Sequence, residues 1–388
     1  MIPIDVPLTT AYLKEMVQIN SINPGLSQGG AGEGAVAGWL SRTCKELGLD
    51  VRLQETAPGR SNVLARWPGS GGGKSLLLTG HTDVVGVENM TGNPFDARVE
   101  NGRLYGRGAL DMKGGLASIL GAVAALRAMA FQPAGDLWLG FVTDEEYKSS
   151  GTEMMVQEIR PDAAILTEPT GLQICIAHKG FAWLSLNTIG RSAHGSLYNA
   201  GVDAIVNMGR LLARLECLEH DRLPGREHPL LGRSSVHAST ITGGVGWSTY
   251  PDRCELRIEH RLLPDEKAES TLAWWRETLA ELAAADPQFR AEVQLDFARP
   301  GYEIAPDAPI VRALDGAYSR TTGEAPIYMG MPAWLDSAIL GREGIPTVIF
   351  GPGGEGAHAA VEYVNLDEVF RCAAVLAEAA TGWTGAAS

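Results

Sequence analysis

The stretch LLLTGHTDVV at residues 76–85 decides the fold of this 388-residue chain, because an apolar run ends there in a turn that carries His81 and Asp83. Three other segments share this plan, and a fifth segment adds one more acidic residue. They are LGFVTDEE at 139–146, AAILTEP at 163–169, TVIFGPGGEGAH at 347–358 and GALDMKGG at 108–115. A parallel sheet with helical crossovers gathers the carboxyl ends of its strands at one edge, where open α/β folds bind ligands. The pattern predicts an α/β fold with one chemically active cleft.

Five side chains in these segments are candidate metal ligands: His81, Asp111, Glu146, Glu168 and His358. Imidazole nitrogens and carboxylate oxygens are ligands of divalent cations, and zinc suits such mixed sites. Two separate four-coordinate sites would need more protein ligands than these five. We therefore expect a binuclear site in which one carboxylate and a water bridge the ions, as in many hydrolases.

Two further acidic residues have expected roles beside these ligands. Asp83 is two residues from His81, so both side chains point the same way on an extended segment. We expect the Asp83 carboxylate to fix the tautomer of His81. Glu145 adjoins Glu146, and one of the two can bind a metal while the other reaches the bridging water as a general base.

Each motif also has an interpretation without chemistry. A His-x-Asp pair after a strand is more often incidental, paired glutamates usually begin a solvated helix, Asp111 could be a helix N-cap, and His358 could be a turn residue. Together these interpretations are weak, because every element falls at a strand end. The segment GPGGEG at 351–356 formally fits a dinucleotide-binding loop, but Pro352 interrupts it and no βαβ unit follows.

The composition excludes several classes of partner. A formal net charge of −14 opposes binding to nucleic acid or to anionic membranes. It permits a small anionic substrate, because a metal ion or one arginine can reverse the field locally. The 5 cysteines are scattered and form no CxxC pair, which favours reduced thiols in the cytoplasm. The sequence has no recognisable signal peptide and no apolar run of roughly 20 residues.

The chain is more than twice the roughly 150 residues typical of one domain. Helices are expected at 9–19, 33–47 and 113–129, and strands at 50–55, 61–67, 75–79, 136–143 and 163–167. After residue 178 the order becomes βαββαβ, which is typical of a ferredoxin-like domain. We expect a catalytic domain with a mostly parallel mixed sheet at 1–177 and 298–388. The ferredoxin-like domain is inserted at 178–297.

The motifs resemble those of the M20 metallopeptidase family over essentially the whole chain. The matching segments occur in the family's order: GHTDVV at 80–85, GRGALDMKGG at 106–115, DEE at 144–146, EPT at 168–170 and GPG at 351–353 followed by His358. The resemblance implies a zinc-peptidase-like catalytic domain. It also implies a cis peptide bond after Asp111.

The resemblance further implies a role for each candidate ligand. Asp111 bridges two Zn²⁺ ions per chain, for which Co²⁺ or Mn²⁺ are possible substitutes. His81 and Glu168 complete one ion, and Glu146 and His358 complete the other.

Three further functional residues follow from the resemblance. Glu145 is the base that activates the bridging water. The inserted domain resembles the family's lid and dimerisation domain, so a homodimer through this domain is expected. Within it, His194 matches a histidine that enters the partner subunit's active site, and Arg261 matches an arginine that binds a substrate carboxylate. The segments around Tyr198 and at 247–252 depart from the family pattern beside the substrate pocket, so they leave the substrate open.

We therefore expect a cytoplasmic, zinc-dependent hydrolase of a small molecule. Its substrate would be the amide of an N-acyl amino acid or a small peptide with a free carboxylate, which describes a deacylase or a carboxypeptidase. Two alternatives stay open at this point. One is a dipeptidase or aminoacylase of the same fold, and the other is a catalytically silent relative that binds an amino acid.

Overall fold

The structure is a computed structural model that describes residues 2–386. Its helices, in chain order, are α1 (Val6–Gln18), α2 (Gly34–Glu46), α3 (Gly114–Ala128), α4 (Ser150–Glu158), α5 (Ala204–Cys217), α6 (Ala268–Ala285), α7 (Pro309–Thr322), α8 (Ser337–Arg342) and α9 (Leu366–Thr384). Short helical turns lie at Ala109–Lys113, Leu218–Arg222 and Leu223–Gly225.

The strands are numbered in the same way. They are β1 (Asp50–Ala57), β2 (Arg60–Trp67), β3 (Leu76–His81), β4 (Arg98–Glu100), β5 (Arg103–Tyr105), β6 (Leu137–Val142), β7 (Ala163–Leu166), β8 (Ile174–His178), β9 (Gly180–Ile189), β10 (Ser235–Gly243), β11 (Arg253–Leu262), β12 (Arg290–Arg299), β13 (Tyr302–Glu303), β14 (Tyr328–Met331), β15 (Thr347–Ile349), β16 (Gly354–Glu355) and β17 (Tyr363–Asn365).

The chain folds into two compact units. The larger unit contains the residues up to Ile176, Ile304–Met329 and the residues from Leu335 onward. The smaller unit contains Ala177–Glu303 and Gly330–Trp334. The chain therefore leaves the larger unit within β8, returns to it after β13, and leaves it a second time for the short segment Gly330–Trp334.

The larger unit is built on a mixed sheet in which β1, β2, β6, β3, β7, β15 and β8 are neighbours in that order. The four central strands β6, β3, β7 and β15 run parallel. The strands on both sides of them are antiparallel. The predicted α/β fold with a mixed sheet is confirmed, with its parallel part confined to the centre. The carboxyl ends of these four strands meet at one edge and carry most of the candidate site.

Apolar sequence explains the burial of this core. All six residues of β3 are buried, and so are all four residues of β7. Contrary to the expectation from the sequence, the segment Ala109–Ala128 is long and apolar enough to cross a membrane by length and composition, but 89% of an 18-residue stretch within it is buried inside the structure. Burial of this kind is typical of a core helix, and α3 packs against α1 and α9. A small antiparallel sheet of β16, β17, β5 and β4 completes the larger unit.

The smaller unit is the expected ferredoxin-like domain. Its antiparallel sheet has the order β10, β11, β9, β12, and helices α5 and α6 pack against it. Alternate residues of β9 are buried, as expected for a sheet with one covered face. The core of the unit includes Leu184, Leu256, Ile258 and Trp275. This compact unit runs to Glu303, which is beyond residue 297.

Candidate metal centre

The parallel strands of the larger unit place three of the candidate ligands. His81 is the last residue of β3, and Glu168 follows the end of β7 by two residues. Glu146 comes four residues after β6 ends. Because these strands are neighbours and parallel, their carboxyl ends are close together although the residues are far apart in sequence.

Asp111 and His358 reach the same edge from irregular backbone. Asp111 lies in the turn Ala109–Lys113 before α3, with a non-helical φ of −114° and ψ of 95°, and its peptide bond to Met112 is cis as expected. His358 lies in the loop after β16 and has a left-handed φ of 61°. Neither position is set by regular secondary structure.

One cluster consists of His81, Asp111 and Glu168, whose ligand atoms all lie within 4.8 Å of one another. The Nδ1 atom of His81 donates to the backbone carbonyl of Asp83 at 2.9 Å. Its Nε2 atom is 3.0 Å from Asp111 Oδ1 and 3.8 Å from Glu168 Oε1. Because Nδ1 carries the proton that is donated to the carbonyl, Nε2 has a free lone pair that points toward the carboxylates of Asp111 and Glu168. This is the arrangement of a metal-binding histidine.

The second cluster consists of Asp111, Glu146 and His358, again with ligand atoms within 4.8 Å. The Nε2 atom of His358 is 3.1 Å from Glu146 Oε1 and 3.3 Å from Asp111 Oδ2. Asp111 therefore belongs to both clusters and directs one carboxylate oxygen to each. The five predicted ligands come together as two triads that share a single residue.

The charge of the two clusters favours a bound cation. Burial and the nearby Asp111 raise the pKa of Glu146 to about 7. Hydrogen bonds with Asp111 and Glu146 raise the pKa of His358 to about 10. Burial also raises the pKa of Glu168 well above its usual range, and its Oε1 atom is buried without a hydrogen-bond partner among residues 2–386. Carboxylates held this close require positive charge, and divalent cations would supply it to this donor set.

Glu145 lies beside both clusters but belongs to neither. Its Oε2 atom is 4.0 Å from His81 Nε2, and its side chain is largely buried. Burial raises the pKa of Glu145 well above its usual range, and Glu168 adds to this rise while His81 opposes it. A carboxylate with a raised pKa is suited to accept and return a proton near neutral pH.

Asp83 makes different contacts from those that the sequence suggested. Its Oδ1 atom is 3.6 Å from His81 Nδ1, beyond hydrogen-bond distance, because its own backbone carbonyl takes that position. The carboxylate instead accepts from the backbone N–H groups of Glu145 and Glu146, at 3.1 and 3.2 Å. It also accepts from Asn23 Nδ2 at 2.7 Å. Asp83 thus positions His81 through its carbonyl, and the backbone of Glu145 and Glu146 through its carboxylate.

The sequence did not indicate a buried polar network around Asp144, the residue before Glu145. Arg60 makes a bidentate ion pair with Glu33 and a third hydrogen bond to Asp144 Oδ1 at 3.1 Å. Asn23 donates to the same Asp144 oxygen at 3.0 Å. Asn23 precedes Pro24 and resembles an ordinary helix end, so no local signal identifies it. Only the fold brings these four residues together.

The two candidate residues of the inserted domain both belong to the smaller unit. His194 is exposed, its Nδ1 atom is 2.8 Å from Ser196 Oγ, and its backbone forms an isolated β-bridge with Thr249. Arg261 lies on β11, where it pairs with Glu259 and stacks 5.6 Å from the ring centre of Phe181.

Comparison with known proteins identifies the protein family to which this chain belongs. The family model described as peptidase family M20/M25/M40 matches residues 77–382. An acetylornithine deacetylase from Myxococcus xanthus is 30% identical over 342 residues, which cover 86% of this chain and 87% of that protein. This chain belongs to peptidase family M20/M25/M40. It is a metal-dependent amidohydrolase.

A second relative and a solved structure are also similar to this chain. An N-formyl-4-amino-5-aminomethyl-2-methylpyrimidine deformylase from Bacillus subtilis is 27% identical over 379 residues, covering 90% of this chain and 89% of that protein. The crystal structure of a tripeptidase from Staphylococcus aureus superposes with a TM-score of 0.81 at 21% identity. That match covers 97% of this chain and 98% of the tripeptidase, and it supports the fold.

Proposed function

We propose that this protein is a zinc-dependent hydrolase that cleaves the amide bond of an N-acyl amino acid or small peptide with a free carboxylate. The observation that carries the proposal is the position of Asp111, which directs its two carboxylate oxygens to two different histidine-containing triads. In this proposal His81, Asp111 and Glu168 hold one ion. Asp111, Glu146 and His358 hold the other.

Zinc is the proposed metal because the donor set mixes imidazole nitrogen and carboxylate oxygen. Bound ions would supply electrophilic activation of the amide carbonyl and of the attacking water. The protein's own contribution begins with Glu145, which lies 4.0 Å from His81 and outside both triads. Its carboxylate takes a proton from the attacking water and returns it to the leaving nitrogen.

Asp83 orients these groups in the proposal. Its carbonyl accepts from His81, and its carboxylate accepts from the N–H groups of Glu145 and Glu146. One residue therefore sets the histidine and both glutamates relative to each other. Its proposed role is to hold them, without contact to the substrate.

The two relatives favour a deacylase over a peptidase. Their names describe removal of an acetyl and of a formyl group, both short acyl groups on nitrogen. Arg261 is the proposed partner of the substrate carboxylate, because a guanidinium binds a carboxylate through two parallel hydrogen bonds. The segments around Tyr198 and at 247–252 would then determine which amino acid is accepted.

The smaller unit is the proposed lid and dimerisation domain. Strand β10 forms an edge of its sheet, and seven of its nine residues are exposed. Near its end Val245 and Trp247 are also fully or largely exposed. An open edge with exposed apolar side chains is a surface that a second copy of the chain could cover. In such a homodimer His194 would act in the partner's active site. The scattered thiols favour the cytoplasm.

A panel assay tests the proposal. Zinc-loaded protein would be incubated with N-formyl, N-acetyl and N-succinyl amino acids and with dipeptides, and released amine would be measured. We expect turnover of at least one N-acyl amino acid and its loss after chelation. Two bound zinc ions without turnover of any member of the panel would instead support a silent, ligand-binding relative.

A further inference from the structure

A buried ion pair between Arg107 and Glu362 lies next to the candidate centre, although neither residue is a candidate ligand. Both residues are 1% exposed, and Arg107 Nη1 donates to Glu362 Oε2 at 2.8 Å. The two residues are 255 positions apart and both belong to the larger unit. A buried pair persists only when its remaining polar atoms are also satisfied, so its other contacts indicate what it supports.

Glu362 holds the backbone at Asp111. Its Oε1 atom accepts from the N–H of Asp111 at 3.1 Å and from the N–H of Leu110 at 3.0 Å. Both are hydrogen bonds to a charged acceptor, which are stronger than neutral ones. Asp111 itself has non-helical backbone angles within its turn. Glu362 therefore sets the position from which the shared carboxylate extends.

Arg107 holds the loop that carries His358. Its Nη2 atom donates to the carbonyl of Ala359 at 3.3 Å and to Asn89 Oδ1 at 3.1 Å. Asn89 Nδ2 in turn donates to the carbonyl of His358 at 2.9 Å. His358 has a left-handed φ of 61°, which is uncommon for a residue other than glycine. Such a conformation persists where neighbouring contacts impose it.

We infer that Arg107, Asn89 and Glu362 are positioning residues that hold Asp111 and His358 in the geometry of one metal triad. The inference rests on the proposed function, because it requires that the triad binds an ion. Metal ligands tolerate only small displacements, and removal of the groups that orient them typically lowers metal affinity 10–100-fold. The ion pair would therefore act on the metal through the backbone of two ligands.

The contacts predict an asymmetry between variants. Asn89 contacts Arg107 and the loop of His358 but not the turn of Asp111, so its loss should weaken one ion and leave the other unchanged. Arg107 contacts both that loop and Glu362, so its loss should weaken both ions, and the ion held by His358 more strongly. Glu362 contacts Asp111, which both triads share, so its loss should weaken both ions. A merely structural role would not separate the two ions in this way.

Three substitutions use this asymmetry. Asn89→Ala removes two hydrogen bonds of an exposed side chain, one to the carbonyl of His358 and one from Arg107. Arg107→Lys keeps the charge but loses the planar fork that reaches several acceptors at once. Glu362→Gln keeps the shape but offers one acceptor oxygen in place of two.

Zinc binding is the readout. Metal-free protein would be titrated with Zn²⁺ against a chromophoric chelator, with the number of bound ions checked by elemental analysis and folding checked by circular dichroism. We expect two ions in the wild type. In Asn89→Ala one ion should bind as in the wild type and the other about 10–100-fold more weakly. In Arg107→Lys both ions should bind more weakly, and one of them more so than the other. In Glu362→Gln both should bind more weakly.

The smaller unit offers a matched control. Arg233 Nη2 pairs with Glu219 Oε1 at 2.5 Å, and Glu219 Oε2 accepts from the backbone N–H of Val236 at 2.7 Å. This pair also joins a guanidinium, a carboxylate and a backbone N–H, but it contacts none of the candidate ligands. Arg233→Lys and Glu219→Gln should therefore bind both ions as the wild type does.

The outcomes separate the inference from the proposed function. Two ions in the wild type with unchanged binding in Asn89→Ala and Arg107→Lys would overturn the inference alone. Equal losses in the control variants would also overturn it, because the effect would then follow general destabilisation. Fewer than two ions in the wild type would contradict the binuclear proposal and, with it, the inference. If Arg107→Lys fails to fold, Asn89→Ala decides the question.

Discussion

The carboxylate of Asp83 accepts a hydrogen bond from the backbone N–H of Glu145 at 3.1 Å, across 62 positions of the sequence. Its second oxygen accepts from the next backbone N–H, that of Glu146. One buried carboxylate therefore holds the backbone of two adjacent glutamates. Side chains fixed in this way can take different roles although they are neighbours, and substitutions at the two positions should have different effects.

Glu145→Gln should lower kcat by about 10²–10⁴-fold or more, because it removes the proposed general base. The isosteric amide should leave the zinc content near two ions, since Glu145 belongs to neither triad. Turnover of an N-acyl amino acid and elemental analysis of the same sample are the two measurements.

Glu146→Gln is the matched comparison. It should lose or weaken the ion held with His358, because a neutral amide is a poorer ligand than a carboxylate. If metal is lost from Glu145→Gln and retained in Glu146→Gln, the two roles have been assigned in reverse.

Asp111→Ala should remove or severely weaken both ions, because this carboxylate belongs to both triads. Elemental analysis after equilibration with zinc would measure the stoichiometry. Glu343→Gln, which alters a carboxylate paired with Arg160 away from the centre, is the control. Retention of two tightly bound ions by Asp111→Ala would rule out the shared-ligand arrangement.

His194→Ala should be nearly inactive while it keeps its zinc and its oligomeric state. Loss of one hydrogen-bond donor to a developing oxyanion typically costs about 10²–10³ in kcat. In the proposed dimer His194 acts across subunits, so mixing this variant with Glu145→Gln should restore part of the activity. A hybrid dimer would have one active site with both residues intact.

Two results would contradict this role for His194. One is the absence of any restored activity when labelled subunits demonstrably exchange between the two variants. The other is full activity from a wild-type protein that sedimentation shows to be a monomer.

The smaller unit should lose stability in acid because of two buried histidines. Burial lowers the pKa of His178 and of His260 to about 4. Below a pH of about 6.5 the unfolded chain therefore binds more protons than the folded one. The contribution of these neutral histidines to the free energy of unfolding is fully present above about pH 6.5. It is lost as the pH falls toward 4, by up to about 3 kcal/mol per histidine.

His260→Asn tests this dependence, because it removes one titrating imidazole and leaves Thr271 a polar partner. The free energy of unfolding should change less steeply between pH 6.5 and 4 in the variant than in the wild type. His220→Gln, which removes an exposed imidazole, is the control. Identical pH profiles for His260→Asn and the wild type would contradict the prediction.

The sequence by itself determined the fold class and the set of candidate ligands. Apolar runs that end in short turns identified β3, β6, β7 and β15, because strand formation and burial follow from local pattern. Parallel pairing of such strands necessarily brings their ends together, so the sequence positions of His81 and Glu168 are enough to assign both residues to one cleft. The order βαββαβ likewise identified the inserted unit.

The tertiary structure alone decided how these residues contact one another. The carboxylate of Asp83 accepts hydrogen bonds from the backbone of Glu145 and Glu146, and its carbonyl accepts one from His81. These contacts depend on which N–H groups face Asp83 in the fold. Sequence patterns do not predict the direction of individual backbone groups. The ion pair of Arg107 with Glu362 joins positions 255 residues apart. Sequence patterns predict structure within one strand or one helix. Hydrogen-bond partners that are distant in sequence depend on how these elements pack, which only the three-dimensional structure shows.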